Sequence, residues 1–250
     1  MLQQTQVSRV VEPWSRFLTR FPTPTACADA PLSEVLRLWA GLGYHRRAKA
    51  LHGAAQRIRD DYNGEVPDDV KGLRSLPGVG EYTAHAVASF AFGQRVAVLD
   101  TNVGRVLARA ITNRSMGVVE ARLLAQELLG RSDSATFNQS LLDLGAQYCK
   151  SSPNCELCPV ASHCRWRVEG GIDPASKSAA VSRPQSRFAG SDRQLRGTVL
   201  KELREGPKSK VALFALFDSA DPQRGETILE GLVRDGLVHR RGAAWRLVGD

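Results

Sequence analysis

No stretch of this sequence approaches the roughly 18 consecutive apolar residues that a membrane helix requires, so no membrane span is expected. The N-terminus, MLQQTQVSRVVEPW, has no basic start, no apolar run and no small-residue cleavage site. No signal peptide is therefore expected, and a cytoplasmic location follows by default. Aromatic residues are scarce at 6%, yet the apolar share of 42% suffices for an ordinary soluble core. Five cysteines are too few for a disulfide-rich secreted scaffold. Negative charge is also in deficit, with 26 acidic residues against 34 Lys and Arg, a formal balance of +8. Such a balance favours polyanions, because each neutralised phosphate releases a counterion; it equally describes a surface kept soluble by charge. A chain of 250 residues accommodates one sizeable domain with a small appendage, or two modest domains.

What is present is mostly helical. Val7, Val10, Val11, Trp14, Phe17, Leu18 and Phe21 recur at helical intervals, with a restart expected at Pro13. Ser33 is placed to cap a short helix through Leu38 and Trp39, stopped by Gly41 and Gly43. Helices are predicted over 45–62, 81–92, 103–112, 118–129 and 135–148. Val96-Ala97-Val98-Leu99 is the one strand-like run. Residues 1–166 thus read as an all-α region. Residues 167–192, rich in Gly, Ser, Pro and Ala, read as a linker. Beyond them, helices over 193–204 and 225–235, an apolar stretch at 211–217 and a terminal hairpin suggest a small winged-helix-like module over 193–250.

Four of the cysteines crowd into Cys149-x5-Cys155-x2-Cys158-x5-Cys164. In a reducing compartment that crowding points to a metal site. Zinc sites usually separate two Cys-x2-Cys knuckles by a dozen or more residues. One such pair with wide gaps on both sides suits a larger object, an iron–sulfur cluster, while zinc stays open as an alternative. Arg165 and Arg167 flank the last cysteine and could meet phosphates, whereas Cys27 stands apart as a buried or spare thiol. A second motif is Leu76-Pro77-Gly78-Val79-Gly80, a glycine turn between two helices. It can bring backbone N–H groups against a phosphate at the start of the second helix.

LPGVGEYTA (76–84) together with MLQQTQV (1–7), GLGYHRRAKAL (41–51), VLDTNVGRVLAR (98–109), FNQSLLDLGAQYC (137–149) and the cysteine loop resembles the endonuclease III superfamily of helix-hairpin-helix DNA glycosylases. Within it the chain is most similar to the MutY family of adenine DNA glycosylases. The resemblance implies a six-helix-barrel lobe carrying the hairpin, assigned to 1–99, and a cluster lobe over 100–166, with DNA crossing between them. It implies a [4Fe-4S] cluster on Cys149, Cys155, Cys158 and Cys164, and a phosphate grip by Gly78, Val79, Gly80 and Thr83. Gln3, Gln4 and Tyr44 are expected to wedge into the duplex, and Arg47 and Gln139 to line a pocket for the flipped adenine. Asp100 is the expected catalytic carboxylate, oriented with Asn102 and Tyr82. The lyase branch of the superfamily has a nucleophilic lysine where this chain has Tyr82, so no Schiff base can form and hydrolysis alone is expected. The expected partner is double-stranded DNA with adenine opposite 8-oxoguanine or guanine, engaged by a monomer. An endonuclease III-like activity on another damaged base is the alternative.

Three features depart from the family pattern. Its general-acid glutamate stands two residues before the methionine of MLQQT, which here is Met1, so the acid is expected upstream of the recorded start. A late start assignment accounts for this; a cluster protein that binds DNA without cutting it is the other reading. Residues 193–250 are too short for the NUDIX-like domain by which relatives recognise 8-oxoguanine; Arg240, Arg241 and Arg246 could instead give non-specific DNA contacts. The first cysteine gap is five residues where six are usual.

Overall fold

The computed structural model describes residues 1–3, 5–178, 181, 187–217 and 221–250, so the expected wedge residue Gln4 lies outside the described residues. The helices are α1 (Val11–Arg20), α2 (Pro24–Asp29), α3 (Leu32–Leu38), α4 (Arg46–Asp61), α5 (Val70–Ser75), α6 (Glu81–Phe92) and α7 (Thr101–Val106), then α8 (Val118–Leu129), α9 (Ser134–Gln147) and α10 (Arg165–Glu169). There follow α11 (Asp192–Arg204), β1 (Lys208–Ser209), α12 (Lys210–Phe214), α13 (Pro222–Arg234), β2 (Val238–Arg241) and β3 (Ala244–Leu247). Pro13 falls in the first turn of α1, where no earlier carbonyl opposes its ring, so the helix does not break there. Ser33 is buried inside α3 and is not its cap; Pro31 takes that place. Among the described residues, no helix is long and apolar enough to cross a membrane.

The chain divides into two compact units, and neither is continuous in sequence. One comprises Met1–Pro67, Leu76–Gly78 and Ser186–Asp250; the other comprises Asp68–Ser75 and Val79–Gln185. These bounds differ from the partition expected at residue 99 with 193–250 as a module. The physical reason is a shared core. Val35, Leu36 and Trp39 are buried in one cluster with Val199, Leu200 and Leu203 of α11, Leu229 and Leu232 of α13, and Leu247 of β3. Each such side chain contributes roughly 1.5–3 kcal/mol by leaving water, so the C-terminal segment is cemented to the N-terminal one. Polar contacts follow the same seam. Asp235 accepts from Arg46 Nε at 2.6 Å and from Arg196, and Lys49 Nζ donates to its carbonyl at 2.7 Å. Arg37 makes a two-pronged bond to the Asp250 carboxylate, both contacts at 2.9 Å. His45 faces Arg204; burial, then the charges of Arg204, Arg196 and Arg47, push its imidazole down to about 4, so it is neutral at pH 7.

Within that unit, helix, short strand, two helices and a hairpin succeed one another, and the sheet order is β1-β3-β2. This is winged-helix topology. β3 pairs antiparallel with both neighbours, Trp245 opposite Lys208 on one side and Arg240 on the other.

The second unit holds α5 to α10 around Val103, Leu107 and Ala108, with Ala121, Ala125 and Ala175. Its Val96–Leu99 run is extended but pairs with no strand. Side-chain amides replace the missing neighbour: Asn138 accepts from Val98 N–H at 2.9 Å and donates to the Val96 carbonyl, while Gln126 accepts from Ala97 N–H at 2.9 Å. Buried backbone groups must find partners, and these two amides supply them. Part of the expected linker, 167–192, packs in this unit. Ala175 is buried in this unit's core, and Asp173 accepts two bonds from Arg109, at 2.6 and 2.9 Å.

Candidate active site

Asp100 ends the extended run and caps α7. One carboxylate oxygen accepts from Val103 N–H at 2.8 Å, and the other accepts from Asn102 Nδ2 at 2.8 Å. Asn102 Oδ1 in turn accepts from Arg105 at 2.6 Å, and Arg105 donates to the carbonyls of Cys149 at 2.6 Å and Gly145 at 3.1 Å. A carboxylate only accepts and a guanidinium only donates, so the Asn102 amide serves both in one orientation alone. Helix capping and a fixed carboxylate are therefore two uses of one residue. Tyr82 stands within the electrostatic reach of Asp100; burial first, and that carboxylate second, push its phenol up. Tyr82 and Leu99 share an open hollow of about 240 Å³ with Glu81, His85 and Arg122. Glu81 there pairs with Arg74 at 3.0 Å and Arg122 at 3.5 Å.

Gly145 makes this arrangement sterically possible. A Cβ on it would lie 2.6 Å from Asn102 Cβ and 2.7 Å from the Asn102 carbonyl carbon and oxygen. Backbone has to move to relieve such contacts, and what moves carries Asp100. Gly145→Ala is expected to lower stability by about 1–3 kcal/mol and to reduce base excision together with it; thermal melts and single-turnover rates check both.

The four cysteines stand around one cavity, walled otherwise by apolar groups such as Val106, Ala110, Leu144 and Val160. Among the described residues, no three His, Cys, Asp or Glu side chains converge as a single-ion site would require. Cys149 follows the end of α9, Cys155 and Cys158 lie in the loop, and buried Cys164 caps α10. Arg109, only 2% exposed, donates to Cys149 Sγ at 3.5 Å and to the Lys150 carbonyl at 2.6 Å, and its ring neighbour is Trp166 at 5.3 Å. Burial pushes the Cys149 thiol up, and the Arg109 and Arg105 guanidinium groups pull against it. Cys27 belongs to the other unit and is inert there, its thiol pushed up to about 11 by burial. Arg165 and Arg167 are both exposed, and Arg165 pairs with Glu169 at 2.8 Å.

Other expected site residues fall as follows. Gly78 has φ +75°, and a Cβ there would sit 2.5 Å from Ala50 Cβ, so the turn admits only glycine for two separate reasons. Gly80 is the N-cap of α6 and, being glycine, makes no side-chain capping bond there. Val79 and Thr83 are half-buried beside it. Gln139 is exposed on α9 and donates to Asp143 at 2.8 Å. Arg47 is tied to the backbone around it. It donates to the carbonyls of Met1, Gln3, Leu42 and Gly43 and to the Thr5 hydroxyl, and its guanidinium lies over the rings of Trp39 and Tyr44. Arg47 thereby ties down the N-terminal segment, while its Nε makes no hydrogen bond within the described residues. Sequence reasoning missed Asn138, Arg105, Arg109 and Asp173. Arg105 and Arg109, one helical turn apart in a mostly apolar run, were the available signal.

Residues 1–129 match the family described as HhH-GPD superfamily base excision DNA repair protein. The chain is 44% identical over 246 residues to an adenine DNA glycosylase of Mycolicibacterium smegmatis, spanning 96% of this chain and 82% of that one. It is 42% identical over 174 residues to the human adenine DNA glycosylase, 67% of this chain and 32% of that one. Among solved structures it is similar to a thermostable thymine-DNA glycosylase, with TM-score 0.61, 29% identity and coverage of 67% of this chain and 80% of that one. It is also similar to an endonuclease III trapped as a covalent intermediate with DNA, with TM-score 0.59, 30% identity and coverage of 66% and 79%.

Proposed function

We propose that this chain, which belongs to the HhH-GPD superfamily of base excision DNA repair proteins and within it to the adenine DNA glycosylases, hydrolyses the N-glycosidic bond of adenine opposite 8-oxoguanine or guanine. The observation that carries the reading is the carboxylate of Asp100, held from one side by Val103 N–H and from the other by Asn102. A carboxylate fixed in this way costs no reorganisation when positive charge develops on the sugar, and it stabilises the oxocarbenium-like cation as the base departs. The glycosidic bond breaks as adenine departs, and water then adds to the sugar carbon, leaving its hydroxyl on the sugar and, in the net reaction, its proton on adenine. The N–H groups opening α6 hold a phosphate, and Tyr44 with Gln3 fills the space of the extruded nucleotide.

The cysteine cavity fits a [4Fe-4S] cluster on Cys149, Cys155, Cys158 and Cys164: four thiols, apolar walls and a buried cation beside the first of them. When bound, the cluster supplies a structural cross-link of the loop. The residues do the positioning, since the Cys149 carbonyl anchors Arg105, which orients Asn102 and through it Asp100.

Tyr82 offers no amine, so the enzyme is monofunctional. Borohydride added during turnover on a duplex with adenine opposite 8-oxoguanine is expected to trap no protein–DNA adduct, and the abasic strand is expected to stay whole until alkali is added. A trapped adduct would refute hydrolysis.

A further inference from the structure

We infer that the C-terminal module sets the DNA wedge: Arg193, at the start of α11, holds Tyr44 in the orientation in which it enters the duplex. The inference rests on the wedge reading of Tyr44 given above. Tyr44 has φ +47°, a left-handed conformation that is uncommon for a bulky residue and that needs support from its surroundings. Arg193 NH1 donates to the Tyr44 hydroxyl at 2.6 Å, and the same guanidinium lies 5.8 Å from the centre of the Tyr44 ring. Arg47 lies 5.3 Å from that ring, so two cations flank it. Arg193 itself lies 5.8 Å from the Phe188 ring. The stack thus runs Phe188, Arg193, Tyr44, Arg47, Trp39.

Both ends of the stack are anchored. Arg47 is bound to the Met1 and Gln3 carbonyls, which couples Tyr44 to Gln3, another expected wedge residue. α11 is seated by Val199, Leu200 and Leu203 in the core that also holds Trp39, and Ser191 caps it by accepting from Gln194 N–H. An inserted side chain unstacks bases at considerable cost, so one already ordered in the free protein binds more tightly than one that must be ordered on the DNA. The module therefore acts on DNA through the aromatic residue it steadies.

The test is a set of variants binding a duplex that carries 2-aminopurine, a fluorescent adenine analogue, opposite 8-oxoguanine. Arg193→Gln and Tyr44→Phe each remove the hydroxyl bond, and each is expected to weaken binding about tenfold and to lower the fluorescence of the extruded base. Combined, they are expected to weaken it no more than either alone, within about twofold. Arg193→Lys keeps the charge but not the flat stack, and it is expected to bind as weakly as the Gln variant. Effects that multiply in the double variant, or rescue by lysine, would show Arg193 acting as an independent phosphate contact and overturn the inference. Tyr44→Ala separates the two levels. If it leaves affinity and fluorescence unchanged, the wedge reading fails and takes this inference with it. If it weakens binding while the Arg193 variants do not, the inference alone fails. Melting temperatures of all variants control for folding.

Discussion

Replacing Asp100 by asparagine is expected to reduce adenine release by about 10³-fold or more while leaving DNA affinity intact or slightly raised. The chemistry follows from the geometry. Asparagine keeps the size of the side chain and can still accept from Val103 N–H with its carbonyl oxygen. Its NH2 group must then face the NH2 group of Asn102, donor against donor, where the carboxylate accepted at 2.8 Å. That mismatch costs about 1–3 kcal/mol of stability, too little to unfold an ordinary domain. The charge that answers the cationic sugar is lost outright. Binding does not suffer, because the substituted group was an anion in a protein of net charge +8 that meets a polyanion. Excision that falls only a few-fold would show that another group carries the sugar's charge.

The second large effect concerns the cysteine loop. Cys164→Ser is expected to bring about four irons per chain down toward zero, to bleach the visible absorbance of the iron–sulfide chromophore and to lower stability by about 5 kcal/mol or more. Cys164 is the buried member of the set, packed with Val106 and Ala110, and its Sγ lies 3.6 Å from the Arg109 carbonyl. Loss of the cross-link should loosen the loop that offers the Cys149 carbonyl to Arg105, so excision is expected to fall although Asp100 is untouched. Cys27→Ser is the internal control, since Cys27 lies in the other unit and should leave iron content unchanged. Full retention of iron in the Cys164 variant, or zinc in its place in the unaltered protein, would remove the cluster assignment.

Much of this was legible in the residues because it depends on local pattern. Helical periodicity placed α6, α8 and α9 to within a residue, and the glycines of LPGVG foretold a turn that φ +75° at Gly78 demands. The cysteine spacing foretold a shared cavity. What escaped depends on partners distant in sequence. An apolar stripe on α11 says that one face is buried; it does not say that Trp39 lies against it. Val96–Leu99 has strand composition, yet Asn138 and Gln126 take the hydrogen bonds that a neighbouring strand would have taken. The Gly- and Ser-rich stretch after Glu169 hid Asp173, whose role exists only because Arg109 is buried beside the cysteines. Arg47 shows the same limit at a site residue. The family resemblance put it near a base, and its bonds to the carbonyls of Met1, Gln3, Leu42 and Gly43 were not legible in the sequence.

The central claim is that the carboxylate of Asp100 drives hydrolytic removal of adenine, and chromatography of the base freed from duplex DNA tests it most directly. The protein, produced from its own gene, is incubated with duplexes bearing adenine opposite 8-oxoguanine, guanine or thymine, beside the Asp100→Asn variant. Free adenine from the first two duplexes, little from the third, and almost none with the variant is the expected result. Release of another base, or equal release by the variant, would contradict it.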